Sequence, residues 1–233
     1  KILVSMQVFR LHKASIQLIK EQLDLKENRE IETKNKDDLV FNKNFVLEKL
    51  NFYYDKNSDF KLQDINIEIK KNEIVGIIGA SGSGKSTLLD LIVGLLKVNS
   101  GEIKLDDNNI FKNIQSFQKK IGYISQFSFI LDDSIKNNIT FGVNKDNENT
   151  DKKVNEVLKL VQLEKFVNNL PEHIYSNIGE KGSKISGGQA QRIGIARTLF
   201  RDVEMIILDE ATSALDEKTE NEILKILKEN LKD

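Results

Sequence analysis

The chain has 233 residues, enough for one large domain or for one domain with an added subdomain. Hydrophobic residues make up 39% and charged residues 30%, a balance suited to a globular chain, and the net charge of −1 gives no basic excess that would mark nucleic acid as the main partner. There is no cysteine, which excludes disulfides, zinc and thiol catalysis. The two histidines, His12 and His173, sit in no metal-ligand cluster.

In chain order, residues 1 to about 33 predict a helix, with Phe9, Ile16, Ile19 and Leu23 on one face. Two readings of this stretch stay open from the pattern alone: a surface helix, or the tail of a membrane helix leaving the bilayer. No run of 18 apolar residues is present. The chain starts at Lys1 inside an apolar stretch and is expected to be a piece of a longer protein. Residues 34–44 are polar and read as a linker.

From Phe45, Val46–Tyr54 and Leu62–Ile69 alternate apolar and polar residues, as half-buried antiparallel strands do. The run Ile74–Ile78 predicts a buried parallel strand, and Leu88, Leu89, Ile92, Val93 and Leu96 recur at helical spacing. Short strands are expected at Glu102–Leu105 and Ile121–Ser125, and mostly helices from 132 to about 172 with a polar break at Asn144–Thr150. A helix ending near Phe200, a buried strand at Met205–Leu208 and a final helix from Lys218 complete the reading.

Between the strand and helix around position 80 lies Gly79-Ala80-Ser81-Gly82-Ser83-Gly84-Lys85-Ser86-Thr87, which fits the phosphate-loop pattern at every position. Its glycines allow the backbone to curl so that successive N–H groups meet phosphate oxygens at a helix N-terminus. Lys85 can reach the β- and γ-phosphates, and the Ser86 hydroxyl is a ligand for Mg²⁺. Asp209 and Glu210 end an apolar strand as adjacent carboxylates. Neighbours on a strand face opposite ways, so one can serve the metal while the other orients or deprotonates water. Ser186-Gly187-Gly188-Gln189 opens a helix and makes a second anion cradle from backbone N–H groups and a hydroxyl. One nucleotide needs one phosphate loop, so a second cradle implies another nucleotide or another subunit.

With these motifs in order, the chain resembles the nucleotide-binding domain of ABC transporters over residues 45–233. Ile185-Ser186-Gly187-Gly188-Gln189 is similar to the family's Leu-Ser-Gly-Gly-Gln signature, with Ile185 in place of leucine. The resemblance implies an α/β fold: a P-loop NTPase (RecA-like) core, an antiparallel β subdomain and an α-helical signature subdomain at about 127–190, preceded by an N-terminal helix. It implies ATP and Mg²⁺ as cofactors. Tyr54, or neighbouring Tyr53, would stack on adenine, and Gly79–Thr87 would hold the phosphates. Ser86, Gln126 and Asp209 would surround Mg²⁺, with Glu210 as catalytic base assisted by Lys85 and Gln126. Ser186–Gln189 would bind the ATP of a head-to-tail partner, while Ser213-Ala214-Leu215-Asp216, through Asp216, would cross to that subunit.

Ile178-Gly179-Glu180-Lys181-Gly182 resembles an exporter loop that touches the membrane domain through Glu180, and Phe129–Ile135 has the exporter form. With these, residues 1–33 lean toward the cytoplasmic tail of a last transmembrane helix. The expected partners are a second such domain and the transporter's transmembrane domain, at the cytoplasmic face of a membrane, with no nucleic acid. Exporters carry a switch histidine on a strand after the final helix. The chain ends at Asp233 before one occurs, so weak hydrolysis is expected of it. A non-transport ABC ATPase and a separate importer ATPase subunit stay as alternatives.

Overall fold

A computed structural model describes residues 12, 13, 15–21, 39–55, 59–126, 128–143, 148–211 and 215–230. The chain divides into two compact units, Lys1–Asp38 and Leu39–Asp233. In the first, residues 12–13 and 15–21 are helical, and Ile16, Leu18 and Ile19 are exposed. Phe9 and Leu23 of the expected apolar face lie outside the described residues. No helix among the described residues is long and apolar enough to cross a membrane.

The second unit opens ahead of its first strand. Leu39 and Phe41 are buried, and their backbone N–H groups donate to Ser116 Oγ and Glu204 Oε2. A four-stranded antiparallel sheet follows, built from β1 (Asn44–Phe52), β2 (Leu62–Lys70), β3 (Ser100–Leu105) and β4 (Asn108–Asn109) in the order β2-β1-β3-β4. Alternation along β1 buries Phe45 and Leu47, and an irregularity after Leu47 lets Leu50 and Phe52 be buried too, each removing apolar surface from water. Between Glu48 and Asn51 the register to β3 shifts, and Gly101 sits opposite with φ +86°. A Cβ there would lie 2.4 Å from the Lys49 carbonyl oxygen, so the irregularity requires glycine.

Helix α1 (Lys85–Ile92) presses Leu88, Leu89, Leu91 and Ile92 into the same core, and Phe117 of α2 (Ile114–Lys119) stacks on Phe45 at 5.8 Å. A second, two-stranded sheet pairs β5 (Ile121–Ile124) with β6 (Met205–Leu208) in parallel, Tyr123 opposite Ile207. The other helices, α3 (Ile135–Ile139), α4 (Glu148–Leu160), α5 (Glu164–Asn168), α6 (Gly187–Phe200) and α7 (Glu217–Asn230), pack around a separate apolar core. There Ile135, Ile139, Val154, Leu158, Ile193 and Ile195 are almost completely buried. Arg197 of α6 ties this bundle to the segment after β5, donating to the carbonyls of Asn138 and Phe129 at 2.8 and 3.0 Å.

One expected strand is corrected. Residues 73–80 join neither sheet, and Ile78 is 95% exposed. A strand apolar on both faces is stable only with neighbours and cover on both sides. Here β5 and β6 pair with each other, and Ile74, Val75 and Ile77 share the walls of a cavity of about 830 Å³ with Met205–Leu208 instead of pairing with them.

Candidate nucleotide site

The turn at 71–72 and the irregular residues 73–78 deliver the chain to the glycine loop, which closes directly onto α1. Gly82 and Gly84 adopt φ +78° and +95°, a region costly for residues with a Cβ. At Gly84 a Cβ would also stand 2.8 Å from the Phe60 ring, so that ring can pack on the loop only because the position is glycine. Lys85 Nζ donates to the carbonyls of Gly79 and Ala80 at 2.9 and 3.0 Å, folding the ammonium over the loop. The Ser83 N–H donates to the Ala80 carbonyl.

Ser81, Gly82, Gly84, Lys85, Ser86 and Thr87 line the cavity, which Asp209 and Glu210 reach from the end of β6. Tyr54 lines it too, edge-on to Phe52, tilted against Phe60 and hydrogen-bonded to Thr87 Oγ1 at 3.0 Å. Tyr53 is not among the lining residues. The structure thus gathers most of the loop, Tyr54 and the Asp209–Glu210 pair around one space.

The two carboxylates are held differently. Asp209 N–H donates to the Ile124 carbonyl, extending the β5–β6 ladder, and Tyr123 Oη donates to Asp209 Oδ2 at 2.9 Å. Burial first, then Asp209, pushes the Tyr123 phenol up to about 12. Burial and the same neighbour raise Asp90 of α1 above the ordinary carboxylate value. Glu210, with φ +50°, is exposed and accepts from Gln126 Nε2 at 3.1 Å. Gln126 therefore meets the site through Glu210.

Among the described residues no group of three or more His, Asp or Glu side chains could hold a metal by itself. The cavity does carry the Ser86 hydroxyl and the Asp209 carboxylate, hard oxygen donors of the kind Mg²⁺ takes when phosphates supply further ligands. This donor set fits the ion.

Ser186–Gln189 does not line the cavity. Ser186 caps α6 by accepting the Gln189 N–H at 3.2 Å, while Gln189 Oε1 accepts the Ser186 N–H at 2.8 Å, a reciprocal capping box. A Cβ built on Gly187 meets nothing within 4 Å, so the helix start is open to approach. Glu180, in a short turn entered through Gly179 at φ +79°, is exposed and also away from the cavity. Asp216 caps α7 through the Thr219 N–H and hydroxyl, which hold its carboxyl below the ordinary range. Ser213 and Ala214 lie outside the described residues.

Sequence reasoning missed Phe60 and Tyr123. Nothing in the pattern ties Phe60 to Gly84, and Tyr123 meets Asp209 through the β5–β6 register, which the sequence does not reveal.

A phosphate loop and two strand-end carboxylates that line one cavity are the features of a nucleotide-binding domain. The ABC transporter family model matches residues 62–213, and the chain belongs to this family as an ATP-binding domain. It is 40% identical over 185 residues to a putative export ATP-binding/permease protein of Rickettsia typhi, covering 78% of this chain and 32% of that protein. It is 37% identical over 177 residues to an ATP-dependent lipid A-core flippase of Ralstonia nicotianae, covering 76% and 30%. A bacterial Atm1-family ABC exporter solved with ATP bound superposes with a TM-score of 0.76 at 30% identity, covering 96% of this chain and 41% of that one. The chain spans about a third of the length of the curated relatives it matches.

Proposed function

We propose that the chain binds and hydrolyses Mg-ATP as the motor domain of an exporter, in a head-to-tail pair at the cytoplasmic face of a membrane. Residues 45–233 form the ATPase domain, with its helical subdomain at about 127–190. Residues 1–33 are the tail of a last transmembrane helix, joined through 34–44. The observation that carries the reading is the separation of the two anion cradles. Ser81, Gly82 and Gly84–Thr87 share a cavity with Asp209 and Glu210, whereas Ser186–Gln189 does not line it and sits at an open helix start. A second copy facing the first supplies that cradle to the nucleotide.

In this arrangement Tyr54 stacks on adenine, the loop N–H groups and Lys85 bind the phosphates, and Ser86, Asp209 and Gln126 hold Mg²⁺. The ion, when bound, neutralises charge developing on the phosphate oxygens. Glu210 accepts the proton of the attacking water once Gln126 turns from it. Asp216 and Glu180 carry the state of the site to the partner copy and to the membrane domain.

Glu210→Gln keeps the shape and removes the base. Phosphate release by this variant should fall about 10²–10⁴-fold, with ATP affinity kept. Turnover equal to the parent chain would remove Glu210 from the role.

A further inference from the structure

Asp209 is the carboxylate assigned to Mg²⁺, and a carboxylate on two rotatable bonds needs something to fix it. The β5–β6 register provides the means. Tyr123 lies opposite Ile207, and Ile207 and Asp209 share a face of β6, so a long side chain at 123 leaning along its strand reaches position 209. The contact is a hydrogen bond of 2.9 Å from Tyr123 Oη to Asp209 Oδ2. The Tyr123 ring packs against the apolar core of the antiparallel sheet and α1, so the hydroxyl is presented from a fixed base. The Asp209 N–H is held in turn by the Ile124 carbonyl at 2.9 Å. Asp90 of α1 is near enough to feel the Asp209 charge, and a donor on Oδ2 offsets that repulsion.

We infer that Tyr123 is a positioning residue, whose hydroxyl fixes the Asp209 carboxylate for the metal that accompanies ATP. This rests on the Mg-ATP reading of the site. The hydrogen bond occupies one lone pair of Oδ2 and leaves the other oxygen free to ligate. Partners of metal ligands commonly act in this way, and losing one weakens metal affinity about 10–100-fold. Glu210 is tied to Gln126 rather than to Tyr123, so the tyrosine acts on one carboxylate only.

The test uses Mn²⁺ as the probe, titrated into the 233-residue chain with a non-hydrolysable ATP analogue and followed by the free-ion electron paramagnetic resonance signal. Tyr123→Phe, which removes only the hydroxyl, should weaken Mn²⁺ binding about 10–100-fold. Its affinity for the analogue in EDTA and its urea midpoint should stay close to the parent's. In an Asp209→Asn background the same change should have no further effect on Mn²⁺. Unchanged Mn²⁺ affinity, an equal loss of analogue binding in EDTA, or a full further loss in the Asp209→Asn background would overturn the role of Tyr123. Failure of the parent chain to bind Mn²⁺ with the analogue would instead overturn the Mg-ATP reading itself.

Discussion

Asp106 shows how much one side chain can organise in this fold. At the turn after β3 its carboxylate accepts the backbone N–H groups of Asn42, Lys43 and Asn44, the last two at 2.8 and 2.9 Å, and so fastens the entry to β1. Burial alone would raise its pKa, but the three donors outweigh burial and the carboxyl lies below its ordinary value. A carboxyl lowered in the folded state stabilises the fold above the unfolded value, near 4, and that contribution is lost as pH falls through the folded one. Stability by urea midpoint should therefore decline below about pH 4. Asp106→Ala should show a lower plateau at neutral pH and a shallower acid decline. An unaltered acid slope would mean that other carboxylates set it. Asp106 gave no sign of this role in the sequence, because its partners lie more than sixty positions away.

Among elements, α6 shows a structural device and a proposed functional one in the same residues. The Ser186–Gln189 capping box satisfies orphan N–H groups at the start of a helix whose Ile193, Ile195 and Ala196 are fully buried. Ser186→Ala should cost roughly 0.5–2 kcal/mol of stability, read as a lower urea midpoint. It should also weaken ATP-driven association, since under the proposed pairing the same hydroxyl serves the partner's phosphate. A stability loss with association untouched would leave Ser186 a cap alone. Several elements were legible from the sequence: β1 and β2 by alternation, α7 by apolar spacing and β6 by its continuous apolar run. The run Ile74–Ile78 was not, because an apolar stretch reports what its residues would bury and not whether a neighbouring strand pairs with them. Helix α2 and the two-residue β4 were missed, being too short to show a period.

For the whole molecule, the phosphate loop, Asp209 and Glu210 were legible because their chemistry demands fixed residue types at fixed spacing. The contacts that orient them, Tyr123 on Asp209 and Gln126 on Glu210, arise where β5 meets β6 across more than eighty positions. Local patterning carries no record of such a pairing. The folded chain keeps Ser186–Gln189 out of the cavity, so under the proposed pairing one copy is an incomplete site. The most direct test is the mass of the Glu210→Gln chain by light scattering, with and without Mg-ATP. A monomer alone and a dimer with Mg-ATP are expected, and Ser186→Arg should abolish the dimer while ATP binding persists. A monomer at saturating Mg-ATP, with nucleotide bound, would contradict the proposed pairing.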